Sequence, residues 1–182
     1  MRTKEKAVVL DSEAMERALV RLTHEILERN QGVKDLVLVG IRRGGVCLSE
    51  RIRAKIEEVE KVEVPSGVID ITLYRDDVSM GLPRPLVGRT EISFSLRDKK
   101  VLLVDDVLYT GRTVRAAMDA LMDFGRPKFI QLAVLIDRGH RELPIQADYV
   151  GKKIVTSPRE DVQVLFREIE GKDQVVLQES VS

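Results

Sequence analysis

Apolar positions follow two rhythms along this chain. Met15, Ala18, Leu19, Leu22 and Ile26 recur every three or four residues. That is the spacing of one helix face, and it predicts a helix from a cap at Ser12 to about Asn30, ended by Gly32. Leu36–Gly40 and Val101–Val104 are instead short aliphatic runs, and Phe129–Ile136 is an apolar run interrupted only by Gln131, as strands covered on both faces require. Gly67–Leu73 reads as a further strand, Gly45–Glu58 and Thr113–Phe124 as helices, and residues 162–178 as a terminal β-hairpin. Strands alternating with helices predict an α/β fold, one domain over residues 1–182 with a mostly parallel central sheet flanked by helices. Ligands in such folds sit beyond the carboxyl ends of the strands, so chemistry is expected just after Val39, Val104 and Ile136.

Arg75–Thr90 breaks both rhythms. Gly81, Pro83, Pro85 and Gly88 fall among charges there, which predicts a long mobile loop of the kind that closes over an active site. Arg75, Asp76 and Asp77 would open that lid.

Composition narrows the function classes. The 182 residues carry 30 Lys+Arg against 30 Asp+Glu, so no global charge draws the chain to nucleic acid or to an anionic membrane. Cys47 is the single cysteine, which excludes an internal disulfide framework and reads as a small buried hydrophobe. The apolar run Ala7–Leu10 is too short for a signal peptide, and no stretch reaches the roughly 18 residues of a spanning helix. A soluble cytoplasmic protein is expected.

The chemistry concentrates in Val101–Thr113 (V-L-L-V-D-D-V-L-Y-T-G-R-T). Asp105 and Asp106 end an aliphatic strand, where paired carboxylates suit the vicinal hydroxyls of a ribose. Thr110-Gly111-Arg112-Thr113 then turns into a helix, whose free backbone N–H groups and dipole favour a phosphate. A capped helix after a strand would account for one acid and one threonine, but not for both pairs. Gly40-Ile-Arg-Arg-Gly-Gly45 is a second glycine turn at a strand end, where Arg42, Arg43 and Gly44 could hold a pyrophosphate or form an ordinary solvated basic turn.

The segment Val104–Thr113 resembles the phosphoribosyl-diphosphate (PRPP) motif of type I phosphoribosyltransferases. Together with Asp70–Asp77 and Asp137–Ile145 it resembles the PyrR family over nearly the whole chain. The resemblance implies a type I phosphoribosyltransferase-like fold with a mobile hood. It also implies conversion of uracil and PRPP to UMP and diphosphate, with magnesium (Mg²⁺) carried by PRPP rather than by dedicated protein ligands. It further implies base recognition by Arg138, Tyr149 and the Val150 backbone, although Tyr149 reads equally as an ordinary half-buried aromatic. Family members also regulate pyrimidine genes by attenuation. By resemblance, Arg17, Arg21, His24, Arg29, Arg141, Lys152 and Thr156 would bind a leader mRNA hairpin, strengthened by UMP, with the protein a homodimer or larger homo-oligomer.

Four residues depart from the family pattern. Arg43-Gly44 stands where Thr-Arg is commoner, which brings the loop nearer to hypoxanthine-type purine enzymes and keeps that activity as an alternative. Val20 replaces a frequent threonine and Gln146 a frequent arginine, so a phosphoribosyltransferase without RNA regulation is a further alternative.

Overall fold

A computed structural model describes residues 2–71 and 89–181. Strand β1 (Arg2–Leu10) leads into helix α1 (Ser12–Asn30). The cap of α1 is Asp11 rather than Ser12: its backbone is extended, and its carboxylate accepts from the Ala14 N–H at 2.8 Å. An anionic acceptor at the positive helix end serves there better than a hydroxyl one residue inside it. At the other end Gln31 turns left-handed and the Gly32 N–H returns to the Leu27 carbonyl at 2.9 Å.

Five parallel strands form the central sheet. They are β2 (Leu36–Ile41), β3 (Ser66–Ile69), β4 (Lys100–Leu108), β5 (Phe129–Asp137) and β6 (Tyr149–Lys153), in the spatial order β3-β2-β4-β5-β6. Helix α2 (Gly44–Glu60) links β2 to β3, and α3 (Arg112–Met122) links β4 to β5. The aliphatic runs alternate sides. Leu36, Leu38, Leu102, Val104, Ala133 and Leu135 pack with α1 and α2, while Val37, Val39, Val101, Leu103, Leu132 and Val134 pack with Val114, Ala117 and Leu121 of α3. Both faces are therefore dry, and a one-residue slip would exchange the two sets and spoil both cores at once.

A second sheet is antiparallel, in the order β1-β8-β7, with β7 (Glu160–Leu165) and β8 (Gln174–Val181) joined through the short helix α4 (Arg167–Glu170). Val162, Val164, Phe166 and Val175 seat it against the α1/α2 side of the core. Phe166–Ile169, read as strand in the sequence, is the approach to α4 and its first turn. Strands β1 and β6 had no sequence signal: Arg-Thr-Lys-Glu-Lys dilutes the first, and the second is five residues long. The sequence strand Gly67–Leu73 corresponds to the shorter β3, and residues 72–88 lie outside the described residues. Among the described residues no helix is long and apolar enough to cross a membrane.

Candidate active site

The sheet order places a crevice where it can hold a ligand. From β2 the chain crosses to β3 on one side, and from β4 it crosses to β5 on the other, so the carboxyl ends of adjacent β2 and β4 open between diverging connections. Both sequence motifs emerge there. The helices that start at this crevice, α2 and α3, have no side-chain cap, whereas α1, which starts elsewhere, is capped by Asp11. Uncapped first-turn N–H groups at two converging helix ends are donors for anions.

β4 extends four residues past Val104, so Asp105 and Asp106 are strand residues rather than loop residues. Pleating sends them to opposite faces. Asp105 is 6% exposed, and burial first, then the Asp106 carboxylate, pushes its carboxyl well above the usual carboxylate range. Its Oδ1 accepts from the Asp106 N–H at 3.0 Å, and Asp106 Oδ1 accepts from the Val107 N–H at 3.0 Å. Two acids held this way suit hydroxyl donors, which relieve both without adding charge.

The β2–α2 turn lies directly on this strand end. A Cβ on Gly44 would sit 2.9 Å from Asp106 Cβ and closer to its carboxylate, and one on Gly45 would sit 3.1 Å from Asp105 Cα and run into the Val104 carbonyl. Gly40 is closed off by Val46 Cα in the same way, at 2.7 Å. These three glycines let the turn and the acids share one wall. The Arg42–Arg43 peptide is cis. Arg42 reaches the Arg89 carbonyl at 2.8 Å and stands 3.8 Å from Asp70, while Arg43 is exposed at the rim.

The β4–α3 turn forms the opposite lip. Gly111 has φ +94°, a conformation that favours glycine, and Ile145 and Leu143 fill the space behind it. The Thr110 hydroxyl accepts from the Arg112 N–H at 3.3 Å, and the Thr110 carbonyl accepts from Glu142 and Leu143 N–H at 2.9 and 3.3 Å. Arg112 pairs with Glu142 at 2.6 Å, and Thr113 is half-buried in the first turn of α3.

The expected base-binding residues divide. Arg138 is 4% exposed and turns toward the small sheet, bonding to Thr156 Oγ1 at 3.3 Å, to Asp161 at 3.1 Å and to the Glu160 carbonyl. Its guanidinium lies 4.1 Å from the Tyr109 ring centroid, and His140 meets the same ring edge-on at 5.9 Å. Tyr149 opens β6 and is buried. It pairs with Ala133, itself level with Val104 of β4, and its hydroxyl lies 3.2 Å from the Asn30 amide nitrogen, which also donates to Gln131 at 2.9 Å. The Val150 carbonyl faces Arg21 at 3.4 Å. β6 begins at Tyr149, so Val150 stands level with Asp105 across β5, and Lys152 and Lys153 lie beyond it. Sequence reasoning passed over Tyr109 and His140. The signal for Tyr109 was an aromatic between two strand-end acids and the phosphate turn.

The expected RNA residues also divide. Arg17, Arg21, His24 and Arg29 are all exposed on α1; Arg21 pairs with Glu25 at 2.8 Å, and Arg29 with Asp148 at 3.0 Å. Arg21 also bonds to the Gly151 carbonyl, and Lys152 bonds to Val9 at 3.1 Å, so α1 and β6 share one face. Arg141 and Thr156 make internal bonds: Thr156 is 7% exposed between Arg138 and His140, and Arg141 pairs with Asp137 at 2.6 Å. Arg75, Asp76 and Asp77 lie outside the described residues.

Known proteins match this arrangement. Residues 7–166 match the phosphoribosyl transferase domain. The bifunctional protein PyrR of Pelotomaculum thermopropionicum is 59% identical over 177 residues, covering 97% of this chain and 98% of its own. That of Geobacter sulfurreducens is 60% identical over 171 residues, covering 94% and 97%. A solved hypoxanthine phosphoribosyltransferase of Staphylococcus aureus is 25% identical with a TM-score of 0.69, covering 94% and 92%. With the fold, the glycine turns and identity over nearly its full length all in agreement, the chain belongs to the PyrR family and carries the type I phosphoribosyltransferase fold.

Proposed function

We propose that the protein transfers the 5-phosphoribosyl group of PRPP to uracil, releasing diphosphate, and that the product UMP, held in the same crevice, strengthens binding to a hairpin in the leader RNA of pyrimidine genes. The observation that carries this reading is the pair of uncapped helix ends flanking Asp105 and Asp106 at the β2/β4 crevice. The span of these groups suits one substrate: N–H groups of Thr110–Thr113 for the 5-phosphate, the two acids for the ribose hydroxyls, and Arg42, Arg43 and Gly44 for the pyrophosphate. Uracil N1 then forms a bond to C1 of the ribose as the C1–O bond to pyrophosphate breaks, and the N1 proton passes to water. Positive charge grows on the ring and negative charge on the leaving group, so fixed donors at the pyrophosphate turn supply most of the rate.

Magnesium brought by PRPP would offset the charge of the departing diphosphate. Asp105 and Asp106, acids at the end of β4, fit an ion that arrives with its substrate and would serve as acceptors for its waters and for the ribose hydroxyls. Arg138, stacked on Tyr109, orients the wall beside the base. The RNA face is the outer side of α1 with β6, presenting Arg17, Arg21, His24, Arg29 and Lys152 to phosphates and splayed bases. By the same family reading the chain acts as one domain, in the cytoplasm, as a homodimer or larger homo-oligomer.

One experiment tests both halves. Purified protein with PRPP and Mg²⁺ is offered uracil or hypoxanthine, and a leader hairpin is titrated with and without UMP. UMP formation, with hairpin binding that falls with salt and tightens with UMP, is expected. Turnover of hypoxanthine alone would replace uracil with a purine, and binding no tighter than to a scrambled hairpin would remove the regulatory half.

A further inference from the structure

We propose that strand β6 carries the nucleotide state of the crevice to the RNA face, with Asp148 as the positioning residue that joins the two; this rests on the reading that UMP and a leader hairpin bind the same protein. If UMP strengthens hairpin binding, some part of the chain must touch both sites and differ between the empty and the occupied state. Helix α2 offers one route. It starts at the pyrophosphate turn and meets α1 through Lys55 and Glu16, a pair that includes none of the cations offered to RNA. Strand β6 meets those cations themselves.

β6 is an edge strand of the parallel sheet, held by its ladder to β5. Its Val150 stands level with Asp105, so the strand runs past the height of the ribose acids. Toward α1 it presents acceptors to two arginines. The Gly151 carbonyl accepts from Arg21, and the Val150 carbonyl lies 3.4 Å from the same guanidinium. Asp148, immediately before β6, holds Arg29: its Oδ1 pairs with Nη2 of Arg29 at 3.0 Å, and its Oδ2 accepts from the Leu132 N–H at 2.9 Å. The Asp148 N–H returns to the Leu132 carbonyl at 2.8 Å, and the Arg29 guanidinium lies 5.6 Å from the Tyr149 ring centroid. One carboxylate thus fixes both the start of β6 and the direction of an arginine on α1. A strand with a ladder on one edge yields at lower cost than a strand between two ladders, and a shift of β6 moves the acceptors of Arg21 and Arg29 together. About half of each arginine side chain is in solvent, so both can turn from β6 to a phosphate. A nucleotide drawn against β6 loosens its hold on the two cations and leaves them to the RNA.

Asp148→Asn separates the two links. Its amide oxygen can still accept from the Leu132 N–H, but the amide NH2 then faces Arg29 and cannot pair with it. Lys55→Gln is the comparison on the α2 route. In the full-length protein, hairpin Kd is measured without UMP and at UMP saturation, set for each variant by calorimetry, and the ratio of the two is the coupling. Wild type and Lys55→Gln should share a ratio of about 5- to 150-fold, and Asp148→Asn should fall to about twofold or less. A substitution that merely adds positive charge to the RNA face tightens both Kd values alike; an Asp148→Asn ratio equal to the wild type would therefore overturn the proposal. A ratio lost equally in Lys55→Gln would overturn it too, because the coupling would then belong to α1 as a whole. Amide exchange in the wild type needs no variant to fold: adding the hairpin without UMP should change exchange at residues 149–153, and unchanged exchange there refutes the role of β6. A wild-type ratio of about one would instead remove the regulatory reading itself, a result distinct from the others.

Discussion

Gly44→Ala tests how tightly the pyrophosphate turn and the ribose acids are joined. The new Cβ falls 2.9 Å from Asp106 Cβ and closer to its carboxylate, and Asp106 is too short to yield by bending its far end. It must rotate, breaking the 3.0 Å bond from the Val107 N–H, or the turn must lift off β4. Losing that bond costs about 1 kcal/mol, and overpacking of this kind about 1–3 kcal/mol. For a chain of this size that lowers Tm by roughly 2–12 °C. The larger effect is on chemistry. A charged acceptor moved away from a ribose hydroxyl forfeits about 1.5–3 kcal/mol, or roughly 10- to 150-fold in kcat/KM. Steady-state turnover of uracil with varied PRPP and a thermal melt measure the two quantities on one preparation. Gly45→Ala is the contrasting variant, because its obstacles are the Val104 carbonyl and Asp105 Cα, backbone that cannot rotate away. It should lose more stability than Gly44→Ala. Adding Asp106→Ala to Gly44→Ala should recover Tm and no activity. If Gly44→Ala kept kcat/KM within twofold and Tm within a degree, the shared wall would not exist.

Two further outcomes follow from buried polar groups. Because the Asp105 pKa is raised in the folded state, the unfolded chain releases this proton first. Stability held below the ordinary carboxylate range is then lost as pH rises through the folded value. Asp105→Asn escapes that loss, so it should melt higher than wild type at neutral pH, by a margin that closes as pH falls to about 4, while kcat/KM drops roughly 10- to 100-fold; melts across pH 4–8 beside turnover assays check both, and an Asn variant less stable at pH 7 would refute the argument. Tyr149→Phe removes a hydroxyl from the Asn30–Gln131 cluster and should lower Tm by about 2–4 °C, leaving KM for uracil unchanged; a raised KM would return Tyr149 to the base pocket.

Much of this was legible in the sequence. Aliphatic runs announced the parallel strands, and the position of Asp105–Thr113 after one of them announced the crevice. What the sequence could not carry was direction. Whether Tyr149 opened or ended a strand depended on a register fixed by Ala133, sixteen residues earlier, and its side chain followed from that register into the core. The internal bonds of Arg138, Arg141 and Thr156 were hidden for a related reason. Arginine and threonine look alike to a sequence reader whether they meet a ligand or a neighbouring carbonyl, and the carbonyls in question belong to loops that meet only once the sheet has closed. Strand β1 was hidden by charge, since an exposed antiparallel strand needs only one apolar side.

The pairing of β1 with β8 also bears on synthesis. Arg2 lies opposite Val181, so the small sheet joins segments separated by most of the chain. On the ribosome β1 emerges early and finds no partner, while β2 to β6 and their helices can already assemble behind it. Arg138 depends on that small sheet, since Glu160 and Asp161 in β7 supply two of its bonds. The nucleotide crevice is thus framed early and fastened late, and a chain stalled between β6 and β7 would carry a formed parallel sheet with its arginine wall unanchored. Cleavage at the β1–α1 junction would reopen the same seam in the finished protein, and the fastening would be lost from the end opposite the one where it was made.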